Sequence, residues 1–245
     1  MKCIILSAGY GTRLYPLTLK NPKSLLKIKG KSILKRIIQK VEEVKEVNEI
    51  FITTNSKFKE VFSSWFKKNK DIFNKKLTLY KNLSKDDKKL TSPITDVVEI
   101  LNKYFIKEDL LIIAGDNLFD FSLKEAMDFF KKYSKPVNVV FNLKNKKDAS
   151  RFGVVKLKGN RVISFEEKPK NPRSNLISIG VYFFPKKYLR GIREFGKKSL
   201  PEMNIGHLIK HFFDTQEVYA FKTSGHFIDI GVPEDYERAK RVWKW

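Results

Sequence analysis

The sequence predicts an α/β fold: a single doubly wound, mostly parallel, Rossmann-like sheet flanked by helices, with an antiparallel portion in the second half. Three observations predict it. Short apolar runs such as Cys3–Leu6 and Leu110–Ala114 alternate with amphipathic segments through the first half. That rhythm is the mark of βαβ units. A glycine-containing loop follows the first apolar run directly, as where an α/β fold meets phosphate. In the second half, strand-like runs lie close together, two of them joined by Gly159-Asn160, a two-residue hairpin turn.

The elements follow in order. Cys3–Ser7 is apolar and short, a buried strand. Ser32 is an N-cap for a helix over Ile33–Val47, with Ile33, Ile37, Val41 and Val44 on one face. Glu49–Thr54 is a second strand. Lys57–Lys68 is a helix with Phe58, Val61, Phe62 and Trp65/Phe66 facing inward. Leu77–Tyr80 is a short strand and Asp96–Phe105 a helix. The polar stretch Ser84–Lys89 between them reads as an exposed loop. Leu110–Ala114 is another buried strand, and Ser122 caps a helix through Tyr133. Val137–Leu143, Gly153–Leu157, Arg161–Phe165 and Ile177–Phe184 are strands. Helices at about Lys186–Glu194 and Asn204–Phe213 follow, then strands Val218–Phe221 and Phe227–Ile230. Pro233 opens a last helix to Val242.

With 245 residues, no repeat and no composition break, one domain is expected over 1–245, with halves at about 1–135 and 136–245. The net charge of +23 raises a nucleic-acid or anionic-membrane binder as a separate class of function. Lysine outnumbers arginine 41 to 9, however, and is spread through the whole chain. Phosphate and base recognition favours arginine's planar fork, so a solvated lysine coat over an enzyme is the better reading. The single cysteine, Cys3, excludes an internal disulfide and a thiolate zinc cluster. The first apolar run is too short for a signal peptide, and no run approaches the ~20 residues of a membrane span. A cytoplasmic protein with no membrane partner is expected.

The chemistry concentrates after the first strand, in Leu6-Ser7-Ala8-Gly9-Tyr10-Gly11-Thr12-Arg13-Leu14-Tyr15-Pro16-Leu17-Thr18, followed by Asn21-Pro22-Lys23-Ser24-Leu25-Leu26. A Walker A loop is absent. A Rossmann fingerprint would place a third glycine at Leu14 and an acid ~20 residues further on, and neither is present. Gly9 and Gly11 alone fit an ordinary tight turn equally well. The full string resembles the signature of the sugar-phosphate nucleotidyltransferases, or nucleotide-sugar pyrophosphorylases, and most closely their glucose-1-phosphate thymidylyltransferase-like members. That resemblance implies a GT-A-like fold whose antiparallel portion binds sugar.

Three further segments fit the same resemblance. Ala114-Gly115-Asp116-Asn117 puts an acid after a buried strand, where open α/β sheets place ligands; by itself Asp116 also reads as a turn cap. Glu166-Glu167-Lys168-Pro169, with Gly153 upstream, reads in isolation as a surface ion pair. Phe227-Ile228-Asp229-Ile230-Gly231-Val232-Pro233 resembles a Trp-x-Asp-x-Gly-Thr-Pro motif, with Phe227 for the tryptophan and Val232 for the threonine. Alone, Asp229 reads as a cap before the last helix.

The resemblance implies a role for each residue. Ala8, Gly9, Gly11 and Thr12 would hold the nucleotide. Arg13 would stabilise the departing phosphates, and Lys23 would bridge nucleotide and developing charge. Asp116 and Asp229 would hold Mg²⁺. Gly153, Glu167, Lys168 and Asn175 would take the sugar 1-phosphate. The reaction implied is nucleotidyl transfer from a nucleoside triphosphate to a sugar 1-phosphate, such as glucose 1-phosphate, releasing pyrophosphate. Thymidylyl or uridylyl transfer is expected, but the base-recognition loop, Asn82–Asp96, lacks the family's glycine and leaves the base open. Homo-oligomerisation is also left open. No C-terminal β-helix follows the last helix, so no second activity is expected. A cytidylyltransferase of the same fold acting on phosphocholine is the nearer alternative. A non-catalytic basic protein that binds nucleic acid is the more distant one.

Overall fold

The computed structural model describes residues 1–82 and 91–244. In chain order its elements are β1 (Lys2–Leu6), β2 (Lys27–Ile28), β3 (Lys31–Ser32), α1 (Ile33–Glu42), β4 (Glu49–Thr54), α2 (Lys59–Asn69), β5 (Lys76–Lys81), α3 (Pro93–Lys103), β6 (Leu110–Ala114) and β7 (Asn117–Phe119). Then come α4 (Leu123–Tyr133), β8 (Val137–Asn142), β9 (Gly153–Lys158), β10 (Arg161–Glu167), β11 (Leu176–Phe184), α5 (Leu189–Gly196), α6 (Ile205–Thr215), β12 (Tyr219–Thr223), β13 (Phe227–Asp229) and α7 (Pro233–Val242). They form two units that interleave along the chain.

The first unit comprises Met1–Thr91, Ala114–Leu123 and Gly225–Trp245. Its sheet is parallel: β4 pairs with β1 on one side and β5 on the other. Every residue of β4 is buried, which is why its run Ile50-Phe51-Ile52 is continuous rather than alternating. Helix α1 buries Ile33, Leu34, Ile37, Ile38 and Val41, and Ser32 accepts a hydrogen bond from the Lys35 N–H at 3.2 Å. Burial of each such side chain contributes about 1.5–3 kcal/mol. A two-stranded antiparallel ribbon sets Asp229 of β13 opposite Asn117 of β7.

The second unit comprises Ser92–Ile113 and Lys124–Ser224. Its sheet runs β6-β11-β8-β12-β10-β9, with an extra β11–β9 pairing. Only β8 and β12 run parallel among these described pairs. The short Gly159-Asn160 connection permits nothing but an antiparallel partner. Strand β11 changes register between Ser178 and Tyr182, where Gly180 takes a left-handed φ of 71°. An irregularity of this kind bends a strand, and it lets β11 pair with β9 before the kink and with β6 after it. The fold is therefore α/β as expected, parallel in the first unit and largely antiparallel in the second.

Some boundaries shift for local reasons. Helix α1 stops at Glu42, because Val44 and Val47 are buried by tight turns rather than by a further helical turn. Helix α3 begins at Pro93 instead of Asp96: Ser92 is its cap, accepting from Thr95 N–H at 3.1 Å, and proline suits the first helical position. Strand β7 occupies residues expected to form a turn, since β13 supplies its ladder. The expected exposed loop, Ser84–Lys89, and most of the base-recognition segment lie outside the described residues. Among the described residues no helix is long and apolar enough to cross a membrane.

Candidate active site

In the first unit, the loop after β1 is anchored on three sides. Ser7 N–H donates to Thr53 Oγ1 at 2.8 Å, and Asn55 Nδ2 donates to the Ala8 carbonyl at 2.8 Å. Thr18 Oγ1 donates back to the Gly11 carbonyl at 2.7 Å. Gly11 has φ 66°, and a Cβ there would stand 3.2 Å from the Thr18 side chain, so glycine is needed for both conformation and space. Gly9 is exposed, with open space where a Cβ would be. Thr12 and Arg13 are exposed on a short 3-10 turn.

Gly115 explains how Asp116 arrives. Its N–H donates to the Leu6 carbonyl at 2.9 Å, and a Cβ on it would lie 2.7 Å from that same oxygen. Only glycine lets the Asp116 segment run so close to the end of β1. Asp116 then meets Lys23, from the 3-10 turn Lys23–Leu25, at 2.8 Å. Asp229, the last residue of β13, brings its Oδ1 to 3.7 Å from the same ammonium. The Lys23 side chain is only 12% exposed, against 40% for Asp116. The ammonium is thus a largely buried cation serving two carboxylates, one of them open to solvent.

The second unit carries Gly153, Glu167, Lys168 and Asn175. Glu167 ends β10, directly opposite Gly153 of β9. A Cβ on Gly153 would lie 2.6 Å from Phe165 Cζ and 2.9 Å from Glu167 Oε2. Asn204 Nδ2 donates to Glu167 Oε1 at 2.8 Å, while Glu167 Oε2 is buried with no hydrogen-bond partner among the described residues. Burial, followed by the negative charge of Glu167, pushes the Tyr182 hydroxyl well above its ordinary pKa. Ser178 donates to Asn138 Oδ1, which leaves its oxygen to accept from Tyr182 at 3.0 Å. Lys168 is exposed in a left-handed conformation, φ 46°, with its N–H on the Phe152 carbonyl at 3.0 Å. Asn175 is half-buried and donates its side-chain amide to the Leu143 carbonyl at 2.8 Å.

The histidines have structural partners. His207 Nδ1 accepts from Asn204 N–H at 3.2 Å in a capping box, and His211 stacks on Phe195 at 4.4 Å. Among the described residues no group of three or more His, Cys, Asp or Glu is gathered as for a protein-only metal site. Cys3 is fully buried, and burial holds its thiol far above the usual range, which makes it inert.

The model for the family described as nucleotidyl transferase matches residues 2–243. The chain belongs to that family. The chain is 35% identical over 242 residues to the bifunctional protein GlmU of Methanocaldococcus jannaschii, covering 98% of this chain and 54% of the relative. It is 30% identical over 242 residues to a Sulfolobus acidocaldarius protein assigned as a mannose-1-phosphate guanyltransferase, covering 97% and 62%. The chain thus spans about half to three-fifths of the length of these relatives. Among solved structures, a Bacillus anthracis protein assigned as a glucose-1-phosphate thymidylyltransferase, crystallised with sucrose, superposes with a TM-score of 0.86. The identity is 22%, and the match covers 100% of this chain and 97% of that one, a likeness of fold.

Several residues of the candidate sites escaped the sequence. Thr53 and Asn55 join Thr18 of the signature string in fixing the glycine loop, yet nothing in their spacing points at residues 7–11. Gly206 and Asn204 adjoin Glu167 from 37 or more positions away. The glycine before Asp116 and the asparagine opening α6 were visible signals of a close approach and of a cap.

Proposed function

We propose that the chain is a Mg²⁺-dependent sugar 1-phosphate nucleotidyltransferase, acting as one catalytic domain. A sugar 1-phosphate oxygen attacks the α-phosphate of a nucleoside triphosphate, and pyrophosphate leaves. The observation that carries the reading is the Lys23 ammonium held by Asp116 and Asp229 beside the loop after β1. The attacking phosphate is already ionised, so no strong base is required. Catalysis is alignment and neutralisation of charge.

The two carboxylates suit a hard divalent cation. They offer only oxygen, and one cationic atom already reaches both. Mg²⁺ is commonly bound by one or two carboxylates together with substrate phosphates. Asp116 and Asp229 would hold it, and it would neutralise charge at the α-phosphate. Backbone N–H groups of Ala8, Gly9, Gly11 and Thr12 take the triphosphate. Arg13, exposed on its 3-10 turn, closes on the β- and γ-phosphates. Lys23 shields the negative charge that builds on the reacting phosphates.

In the second unit, Glu167 accepts from sugar hydroxyls and Asn175 lines the sugar pocket; Gly153, expected to leave room for the ring, instead leaves room for Phe165 and the Glu167 carboxylate. Lys168 meets the sugar's phosphate. A hexose 1-phosphate, such as glucose 1-phosphate, gives this carboxylate its hydroxyl donors. Phosphocholine would leave Glu167 with none, which is why a sugar acceptor is favoured. Thymidylyl or uridylyl transfer is the reading for the nucleotide. A positive field of this size draws in both polyanionic reactants.

The test is pyrophosphate release from dTTP and the four ribonucleoside triphosphates, each paired with several sugar 1-phosphates, with and without chelator. At least one pair should turn over, and only with a divalent cation present. Silence across every pair, or full activity in excess chelator, would sink the reading.

A further inference from the structure

We propose that Asn204 and Gly206, at the start of α6, are positioning residues that seat the Glu167 carboxylate and so set affinity for the sugar. The assignment rests on the sugar 1-phosphate reading above. Asn204 uses both ends of one amide. Its Oδ1 accepts from Gly206 N–H at 2.8 Å and closes the helix. Its Nδ2 donates to Glu167 Oε1 at 2.8 Å, a bond the helix does not need. Exchanging the two ends would set oxygen against carboxylate and N–H against N–H, so the network fixes the amide's orientation.

Gly206 completes the seat. Glycine is among the poorest helix formers, and Gly206 is not among the residues with positive φ, so conformation does not call for it here. Space does. A Cβ at Gly206 would stand 2.7 Å from Glu167 Cδ and 2.9 Å from Asn204 Oδ1, and nearer still to Glu167 Oε2. Gly153 crowds the same oxygen from β9. Glu167 is therefore tethered at Oε1 by an amide and bounded at Oε2 by two glycines. Oε2 is buried with no donor among the described residues, so its place is set by this packing and by the amide on Oε1.

The experiment is steady-state kinetics of Asn204→Asp and Gly206→Ala with the best substrate pair from the screen, varying each substrate in turn. Aspartate keeps the cap and replaces the donor by a charge that repels Glu167. Alanine favours the helix yet has no room against the carboxylate. Each should raise the KM for sugar 1-phosphate about tenfold or more, with the KM for the nucleotide within about twofold of wild type. Asn204→Ser, which keeps a capping oxygen, adds no charge and is too short to hold Glu167 Oε1, should raise the sugar KM about threefold or more, and it carries the test if the other variants do not fold. An unchanged sugar KM in the folded variants, or equal loss for both substrates, would overturn the seat. A wild type that uses no sugar 1-phosphate would overturn the functional reading and the seat with it.

Discussion

Lys23 Nζ lies 2.8 Å from Asp116 Oδ2 and bridges 93 positions of sequence within the first unit. With Asp229 at 3.7 Å, the set holds one ammonium and two carboxylates, a net single negative charge. A divalent cation joining the set would turn that charge positive, facing a phosphate. Lysine at this point keeps two carboxylates close together in the resting protein, and under the proposed reaction it would also offer positive charge to the transition state.

Lys23→Met should therefore lower kcat about a hundredfold or more while nucleotide affinity changes little, since charge complementary to the transition state acts on rate. Steady-state kinetics alongside direct nucleotide binding checks this. A larger KM at unchanged kcat would show that Lys23 only binds.

Much of this was legible because local chemistry and long-range structure agree. The apolar runs of β1 and β6 could only be buried strands, and Pro233 could only open a helix. Gly153, Glu167 and Lys168 were named from the resemblance, and the fold sets Glu167 across from Gly153 in one ladder. What stayed hidden depends on tertiary contact. Strand β7 has three residues and exists because β13 pairs with it. The kink at Gly180 looked like an ordinary glycine within an apolar run. Asn204 read simply as the first residue of a helix, because its second bond goes to a strand 37 positions earlier.

Acid lability should trace in part to Glu49. Its side chain is 9% exposed and is met by Lys2 at 3.1 Å, Lys76 at 3.0 Å and Thr78 at 2.7 Å. Burial raises its pKa, but the bonds from Thr78, Lys76 and Lys2 outweigh that and hold it below the ordinary 4.5. The unfolded chain then takes up the proton first as pH falls, so this stabilisation is complete above about pH 5 and is lost as pH drops through the lower folded value. Glu49→Gln should cost about 1–3 kcal/mol at pH 7, with the difference from wild type shrinking below about pH 4.5. Urea denaturation at pH 7, 5, 4 and 3 measures it. A gap that stays constant with pH would exclude Glu49 as a source.

The lysine coat should bind duplex DNA weakly and without sequence preference. Counterion release makes such binding fall steeply between about 50 and 200 mM salt, and pyrophosphate release should ignore added DNA at physiological salt. A salt series with a matched and a scrambled duplex decides it. Tight, sequence-selective binding that survives high salt would revive the nucleic-acid reading of the +23 charge.

Lys168 holds an exposed ammonium on a backbone that lysine does not favour, φ 46°. A left-handed conformation costs an ordinary L-residue about 1–2 kcal/mol, and glycine escapes that cost. Glycine also gains freedom in the unfolded chain, worth about 0.4–1 kcal/mol against folding. Lys168→Gly should therefore be as stable as wild type, or more stable by up to about 1.6 kcal/mol. If the side chain is there for the sugar's phosphate, the same variant should raise the KM for sugar 1-phosphate about tenfold or more and leave the nucleotide's KM within about twofold. Stability and function then move in opposite directions, as strain kept for a functional side chain requires. Lys168→Asn separates the parts, because asparagine accepts the left-handed backbone without supplying charge and should share the kinetic loss. Urea denaturation and paired KM measurements on both variants give the answer. A glycine variant less stable than wild type would show that the lysine is held by packing, and undiminished sugar affinity would show that its charge serves no substrate.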